Sequence, residues 1–304
     1  MPISILSLPI SDLQYALNCM EIDELIAFSL CSKRTKTLVK DAKIPIEPIH
    51  AQIYQNYIIL KIRSSNLREA EDESYSLFIY VDFSNPWIEL DRKNGMEVWR
   101  KEGFTQSDFI AHFLNVFNIS MIHALSIENI EKPFLDTVKQ IIPKFNKLKI
   151  SSDCSNDVAK MAFSNLSPIA TKEVAVHQNL FDNENDFSKF LTRNLECAFF
   201  IDYENSLELL LNDLLVANID TLYIINTKIT EKELNRFLKL WMKGSHRFYR
   251  PKYIKLSLEK KTEHEEVFRG IKCDIGNHER RLKRADGKEL LISILLTYVI
   301  FEFQ

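Results

Sequence analysis

Residues 219–224 read Ile219-Asp220-Thr221-Leu222-Tyr223-Ile224. Apolar side chains at the first, fourth and sixth positions describe a short strand with one buried face, because side chains alternate between the faces of a strand. The same spacing appears as Ile122-Leu125-Ile127 and Phe145-Leu148-Ile150, and more weakly as Val174-Val176 and Phe199-Ile201, with polar Thr171 and Glu196 at the first position. Starting positions 122, 145, 171, 196 and 219 lie 23, 26, 25 and 23 residues apart, and a sixth copy, Tyr253-Leu256-Leu258, begins 34 residues later.

Amphipathic stretches separate these strands. Phe134, Val138, Ile141 and Ile142 share a helical face, as do Phe187, Phe190 and Leu191, and Leu207, Leu210, Leu211, Leu214 and Leu215 form a third stripe. A strand plus a helix every 20–29 residues is the leucine-rich-repeat period, and such units bury their faces only by stacking. The asparagine expected two residues beyond each strand occurs in register once, at Asn179. The units over 119–304 are therefore read as degenerate and leucine-rich-repeat-like. The alternative is a generic α/β domain whose strands recur by chance.

Upstream, residues 46–118 read as a β-rich connector. Ile53, Tyr57–Ile62, Tyr75–Phe83, Trp87–Leu90 and Met96–Trp99 are short aromatic or β-branched runs, with turns at Asn85-Pro86 and Asn94-Gly95. Arg68, Glu69, Glu71, Asp72 and Glu73 form a solvated loop, and a helix over about 107–116 turns Phe109, Ile110, Phe113 and Leu114 inward. Downstream, the apolar run 290–301 is too short to span a bilayer as a helix and reads as a buried strand.

The N-terminal stretch 8–39, LPISDLQYALNCMEIDELIAFSLCSKRTKTLV, differs again. Pro9 suits a helix's first turn, where a missing N–H is not needed. Leu13, Leu17 and Met20, then Leu25, Phe28, Leu30 and Cys31, mark short amphipathic helices, and a basic cluster of Lys33, Arg34 and Lys36 follows. So small a unit cannot bury all its apolar residues internally; a partner or the rest of the chain must cover the remainder.

Leu8-Pro9, Leu13, Leu17, Met20, Glu24-Leu25 and Cys31-Ser32-Lys33-Arg34 resemble the F-box, in the variant common in large nematode families, whose motif ends in a Cys-Ser-Lys-Lys/Arg run. The resemblance implies a three-helix module, residues 1–45, that docks on the Skp adaptor of a cullin-based ubiquitin ligase. It makes Leu8, Pro9, Leu13, Leu17, Leu25, Leu30 and Cys31 the expected adaptor contacts. Ile22 stands where many F-boxes have proline, which alters a turn. A second resemblance lies far along the chain. Thr230 to Glu233 is a capping box, Leu234, Phe237, Leu238, Trp241 and Met242 form an apolar face, and Gly244 supplies the stop. Residues 234–244, LNRFLKLWMKG, resemble the LNxFLKxWxxG core of the F-box-associated domain type 2, and Arg284-Ala285-Asp286-Gly287 resembles that family's later R-x-D-G.

Composition excludes several function classes. A net charge of −3 among 304 residues provides no field for nucleic acid or an anionic membrane, and five scattered cysteines without a CxxC argue against a disulfide framework or zinc knuckle and for a reducing, intracellular compartment. The N-terminal residues lack a signal peptide's basic and long apolar regions. Six glycines have no phosphate-loop or dinucleotide spacing, and no G-x-S-x-G occurs. His264-Glu265-Glu266 lacks the second histidine of a zinc motif, and the seven histidines are scattered singly. The basic groups 236–255 and 280–284 read as solvated faces; if functional, Arg236, Lys239 and Lys243 would meet an acidic or phosphorylated partner.

The sequence thus describes an α/β chain, α+β overall: an F-box at 1–45, a connector at 46–118 and an F-box-associated domain at 119–304. The expected function is the substrate-recognition subunit of a Skp–cullin–F-box ligase, with the Skp adaptor, a cullin and a protein target as partners. No enzyme, cofactor, metal, nucleic acid or membrane partner is expected. The rival reading is a repeat-type scaffold without ligase association, and a weaker third is a nucleic-acid binder using the basic groups.

Overall fold

A computed structural model of the chain describes residues 5–65, 76–92, 95–181, 183–244, 250–276 and 279–304. The expected charged loop 68–73, with Tyr75 and Asn94, lies outside them. The chain divides into two compact units, Met1–Leu148 and Lys149–Gln304.

The first unit opens with three helices, α1 (Ile10–Cys19), α2 (Ile22–Cys31) and α3 (Lys33–Ala42). A meander follows: β1 (His50–Gln55), β2 (Tyr57–Arg63), β3 (Ser76–Asp82), β4 (Ile88–Arg92) and β5 (Gly95–Trp99), each antiparallel to the next. Strict alternation in β2 and β3 fixes their register: Ile58, Leu60 and Ile62 oppose Val81, Ile79 and Leu77, and all six are buried. Then come α4 (Gln106–Val116), β6 (Ile122–Ile130), α5 (Leu135–Ile141) and β7 (Phe145–Ile150), whose last two residues fall in the second unit. β6 runs parallel to β1, pairing Ala51 with Leu125 and Ile53 with Ile127, so the strand order is β7-β6-β1-β2-β3-β4-β5.

In the second unit helices and strands alternate: α6 (Asn156–Leu166), β8 (Ala170–Val176), α7 (Glu184–Leu191), β9 (Leu195–Ile201), the two-residue β10 (Leu207–Glu208), α8 (Leu211–Val216), β11 (Ile219–Lys228), α9 (Glu231–Met242) and β12 (Tyr253–Leu258). Strands β8, β9, β11 and β12 are parallel neighbours. After α10 (His264–Val267), the short β13 (Asp274–Ile275), β14 (Glu279–Lys283), β15 (Glu289–Leu295) and β16 (Tyr298–Phe303) extend the sheet antiparallel, in the order β13-β14-β15-β16-β12-β11-β9-β8. Mixed parallel and antiparallel pairing, with helices heading the chain, makes the fold α/β overall.

Four sequence expectations shift here. Ala198 and Phe200, not Phe199 and Ile201, turn inward in β9, in register with Leu222 and Ile224. The small Ala198 conceals that register in the sequence, and a one-residue slip exchanges the faces of a strand. In β12 the partners of Leu222 and Ile224 are Ile254 and Leu256, so the repeat sits two residues earlier than its apolar spacing suggests. The stripe 207–215 is not one helix: Leu207 pairs with Thr227 in a strand, and α8 starts only at Leu211. The buried carboxylate of Asp213 accepts the Leu210 N–H at 2.8 Å and the Ser188 hydroxyl, which fixes that late start. The run 290–301 is a hairpin, not one strand, because Leu296 adopts φ 53° between β15 and β16.

Candidate docking surfaces

The helical head is built by local capping and one small core. At the start of α2, Glu24 accepts the Glu21 backbone N–H at 2.9 Å, so a capping box replaces the proline that Ile22 lacks. Ser32 caps α3: its Oγ accepts the Thr35 N–H at 3.1 Å while Thr35 Oγ1 accepts the Ser32 N–H at 2.9 Å. The serine of the Cys31-Ser32-Lys33-Arg34 run is therefore a helix cap. Lys33, Arg34 and Lys36 occupy the first turn beyond it, where the helix dipole disfavours cations by about 0.3–1 kcal/mol each at exposed positions.

The expected adaptor contacts divide into two groups. Leu13, Leu17 and Leu25 are buried, with Ile26 and Val39, in the chain's own packing. Pro9 and Cys31 are exposed, and Leu8 and Leu30 half-buried. Two apolar residues that the sequence reading passed over stand out in α1: Ile10 is 83% exposed and Tyr15 74%. Apolar periodicity marks residues that will be covered, without saying whether the chain or another molecule covers them.

Part of the cover comes from α4. Ser29 Oγ donates to the Ile26 carbonyl at 2.7 Å and lies 2.8 Å from His112 Nε2. Lys101 Nζ donates to the Leu30 carbonyl at the end of α2 at 2.6 Å, and Asn118 Nδ2 donates to the Lys40 carbonyl at 3.2 Å. His112, buried beside Phe104 and Phe113, has its pKa pushed down to about 4, chiefly by burial and secondarily by Lys36 and Lys101. The sequence pointed to Leu114 on this face; His112 takes that place and Leu114 is half-buried.

In the second unit, Thr230 caps α9 as its sequence requires, accepting the Glu233 N–H at 3.2 Å. Leu234, Phe237, Leu238 and Trp241 are buried, and Arg236, Lys239 and Lys243 exposed. Asn235 donates to the carbonyls of Val267 at 2.8 Å and Arg269 at 2.9 Å, closing the chain beyond α10. The two phrases 234–244 and 284–287 meet in space. The Arg284 guanidinium lies 5.4 Å over the Trp241 ring and holds Asp286, with Nε to Oδ1 at 2.7 Å and a second bond from Nη2. Gly244 at φ 67° packs under the same side chain and Gly287 at φ 89° turns the chain back, conformations glycine adopts without strain. Hydrogen bonds from Arg284 hold the Asp286 carboxyl at about 2.

A third polar centre stands where an asparagine ladder is mostly missing. Asp202 accepts N–H groups of Asn179 at 2.7 Å, Glu204 at 2.9 Å and Asn205 at 2.8 Å. Burial pulls its pKa up, but these bonds and one from the Asn205 side chain outweigh it, and the net shift is downward. The loops after β8 and β9 are thus tied through one carboxylate.

Comparison with known families agrees with both sequence resemblances. An F-box domain matches residues 5–47, which hold α1, α2 and α3. An F-box-associated domain matches residues 186–248, which hold β9, β11, α9 and most of α7. The chain therefore carries an F-box and an F-box-associated domain. No curated protein matches it.

Proposed function

We propose that this protein is the substrate-recognition subunit of a Skp–cullin–F-box ubiquitin ligase. Residues 1–45 bind the adaptor, 46–118 connect, and 119–304, with its leucine-rich-repeat-like alternation of strand and helix, presents a surface to a protein target. The observation that carries the reading is the exposure of Ile10 and Tyr15 beside Pro9 on a three-helix F-box whose other large apolar residues are buried or half-buried. Contact then falls to Leu8, Pro9, Ile10, Tyr15, Leu30 and Cys31, while Leu13, Leu17 and Leu25 hold the helices that present them. The receptor's contribution is proximity: it raises the effective concentration of target lysines near a ubiquitin-charged enzyme held by the cullin. Bond-making groups belong to other subunits, and the site of action is intracellular.

The test is capture of purified Skp adaptor by the full chain. The double variant Leu8→Ala, Pro9→Ala and the single variant Tyr15→Ala should each weaken capture about tenfold or more, the effect of losing ~1–3 kcal/mol at an apolar hot spot. Unchanged capture by folded variants rejects the reading. A second reading, a scaffold whose F-box-like head only packs internally, draws on the Ser29–His112 and Lys101–Leu30 bonds that tie the head to its own unit. It requires that the wild-type chain capture no adaptor.

A further inference from the structure

The cations of 280–284 have different fates in the fold. Arg281 and Lys283 face Glu289 at 3.7 and 3.3 Å, and Arg284 is buried against Trp241 and Asp286. Arg280 is left. Its guanidinium lies 4.7 Å above the Phe268 ring and reaches the Cys273 thiol at 3.6 Å, and among the described residues no carboxylate pairs with it. Register explains the difference: Arg280 opposes buried Ile292 in β15 and so projects to the core side of the sheet, whereas Arg281 projects to the other.

Arg280 borders a cavity of about 190 Å³. Phe268, Ile292 and Ile294 form its floor, and Ile275 and Leu295, 74% and 51% exposed, stand at its rim. Arg280 is half-buried, and holding an arginine against apolar walls without an acid forgoes a charge-assisted bond, while exposed aliphatic rims gain nothing in water. Both features are explained by a ligand that supplies an oxyanion and an apolar group together. The volume is of the order of one large side chain. Because β13 ends the sheet order, one edge of Asp274–Ile275 has no neighbouring strand among the described residues, so an extended backbone can run alongside. Glu279 and His264 complete the polar lining. The Glu279 carboxylate opposes a dianion more strongly than a monoanion, which favours a carboxylate over a phosphate on this wall.

We propose that the cavity receives an extended segment of the target protein, an apolar side chain entering between Ile275 and Leu295 and an adjacent Asp or Glu carboxylate accepting from Arg280. The proposal deepens the receptor reading and rests on it, naming the chemistry of the target segment. Its test uses immobilised peptides of about nine residues, blocked at both ends, with one apolar–acidic pair varied in a Gly/Ser background and probed with the purified full chain. Peptides pairing Leu, Ile or Phe with Asp or Glu should bind best, and replacing the acid by its amide or by phosphoserine should weaken binding about tenfold. Arg280→Gln should remove the preference for the acid, and Leu295→Ser, at an exposed position, should remove the preference for the apolar residue without lowering the melting temperature. A wild-type chain with no apolar–acidic preference overturns the proposal, as does a preference for phosphoserine or one that survives in both variants. Adaptor capture on the same samples reads the receptor assignment separately: capture without peptide selectivity removes the cavity's role and leaves the ligase, and selectivity without capture removes the ligase.

Discussion

At the residue scale, the titration of buried His112 bears on stability. The folded state favours its neutral form, so the stability it contributes is complete above the ordinary value of 6.5 and is lost as pH falls from there towards about 4. One pH unit within that window is worth ~1.4 kcal/mol, so about 2 kcal/mol should disappear between pH 7 and pH 5. His112→Phe, which keeps the aromatic contacts with Phe104 and Phe113, should flatten this limb in urea denaturation series at the two pH values. An acid loss equal to wild type in that variant would assign the titration to other groups. Trp241 acts by burial: at 4% exposure, and in contact with Arg284, its truncation to alanine should cost ~3–5 kcal/mol. Reversal of charge at Arg236 and Lys239 should leave the melting temperature nearly unchanged, since both are exposed. A Trp241→Ala chain that melts like wild type would move the tryptophan from the core to a contact surface.

At the element scale, legibility follows how many independent signals agree. Helix α9 was readable end to end because a capping box, an i, i+3, i+4, i+7 stripe and a glycine stop coincide. In strand β9 the apolar pattern points one residue out of register, since Phe199 is a stronger apolar signal than Ala198 although only the alanine faces inward. On the opposite face Phe199 stacks on Tyr223 at 4.8 Å, so its apolarity serves a cross-strand pair rather than the core. Helix α6, whose inward Ala159 and Ala162 give little apolar contrast, left no mark in the sequence reading. Of the residues the motif points to, Pro9 and Cys31 are exposed and Leu13, Leu17 and Leu25 are buried in the head's own core, while the exposed Tyr15 carries no motif signal. Helix α3 offers a sharper test of function against stability. Lys33 stands at its first position, against the dipole. Lys33→Glu should therefore stabilise the chain by about 0.3–1 kcal/mol. If the basic turn serves adaptor docking, the same change should weaken capture. A variant that gains stability and captures the adaptor unchanged would reduce the cluster to a solvated face.

At the scale of the whole molecule, each compact unit has its own core. Phe109 and Phe113 of α4 anchor the first, beside the F-box helices. Phe187, Phe237 and Phe301 anchor the second, with Phe237 and Phe301 in edge-on contact at 5.4 Å. The cores differ in connectivity. Hairpins supply most of the strand pairing in the first unit, whereas parallel neighbours separated by helices supply about half of it in the second, where loop closure over longer spans opposes folding. A cavity in the second core should therefore lower that unit's stability and leave adaptor docking intact. Phe237→Ala, at ~3–5 kcal/mol, is the substitution to use, because it removes a fully buried ring that lies outside the F-box. Calorimetry should then resolve an earlier transition for the second unit, and adaptor capture should persist between the two transitions while binding to the target is lost. A single transition carrying both losses together would show instead that the two units unfold cooperatively, and that adaptor docking depends on the second unit being folded.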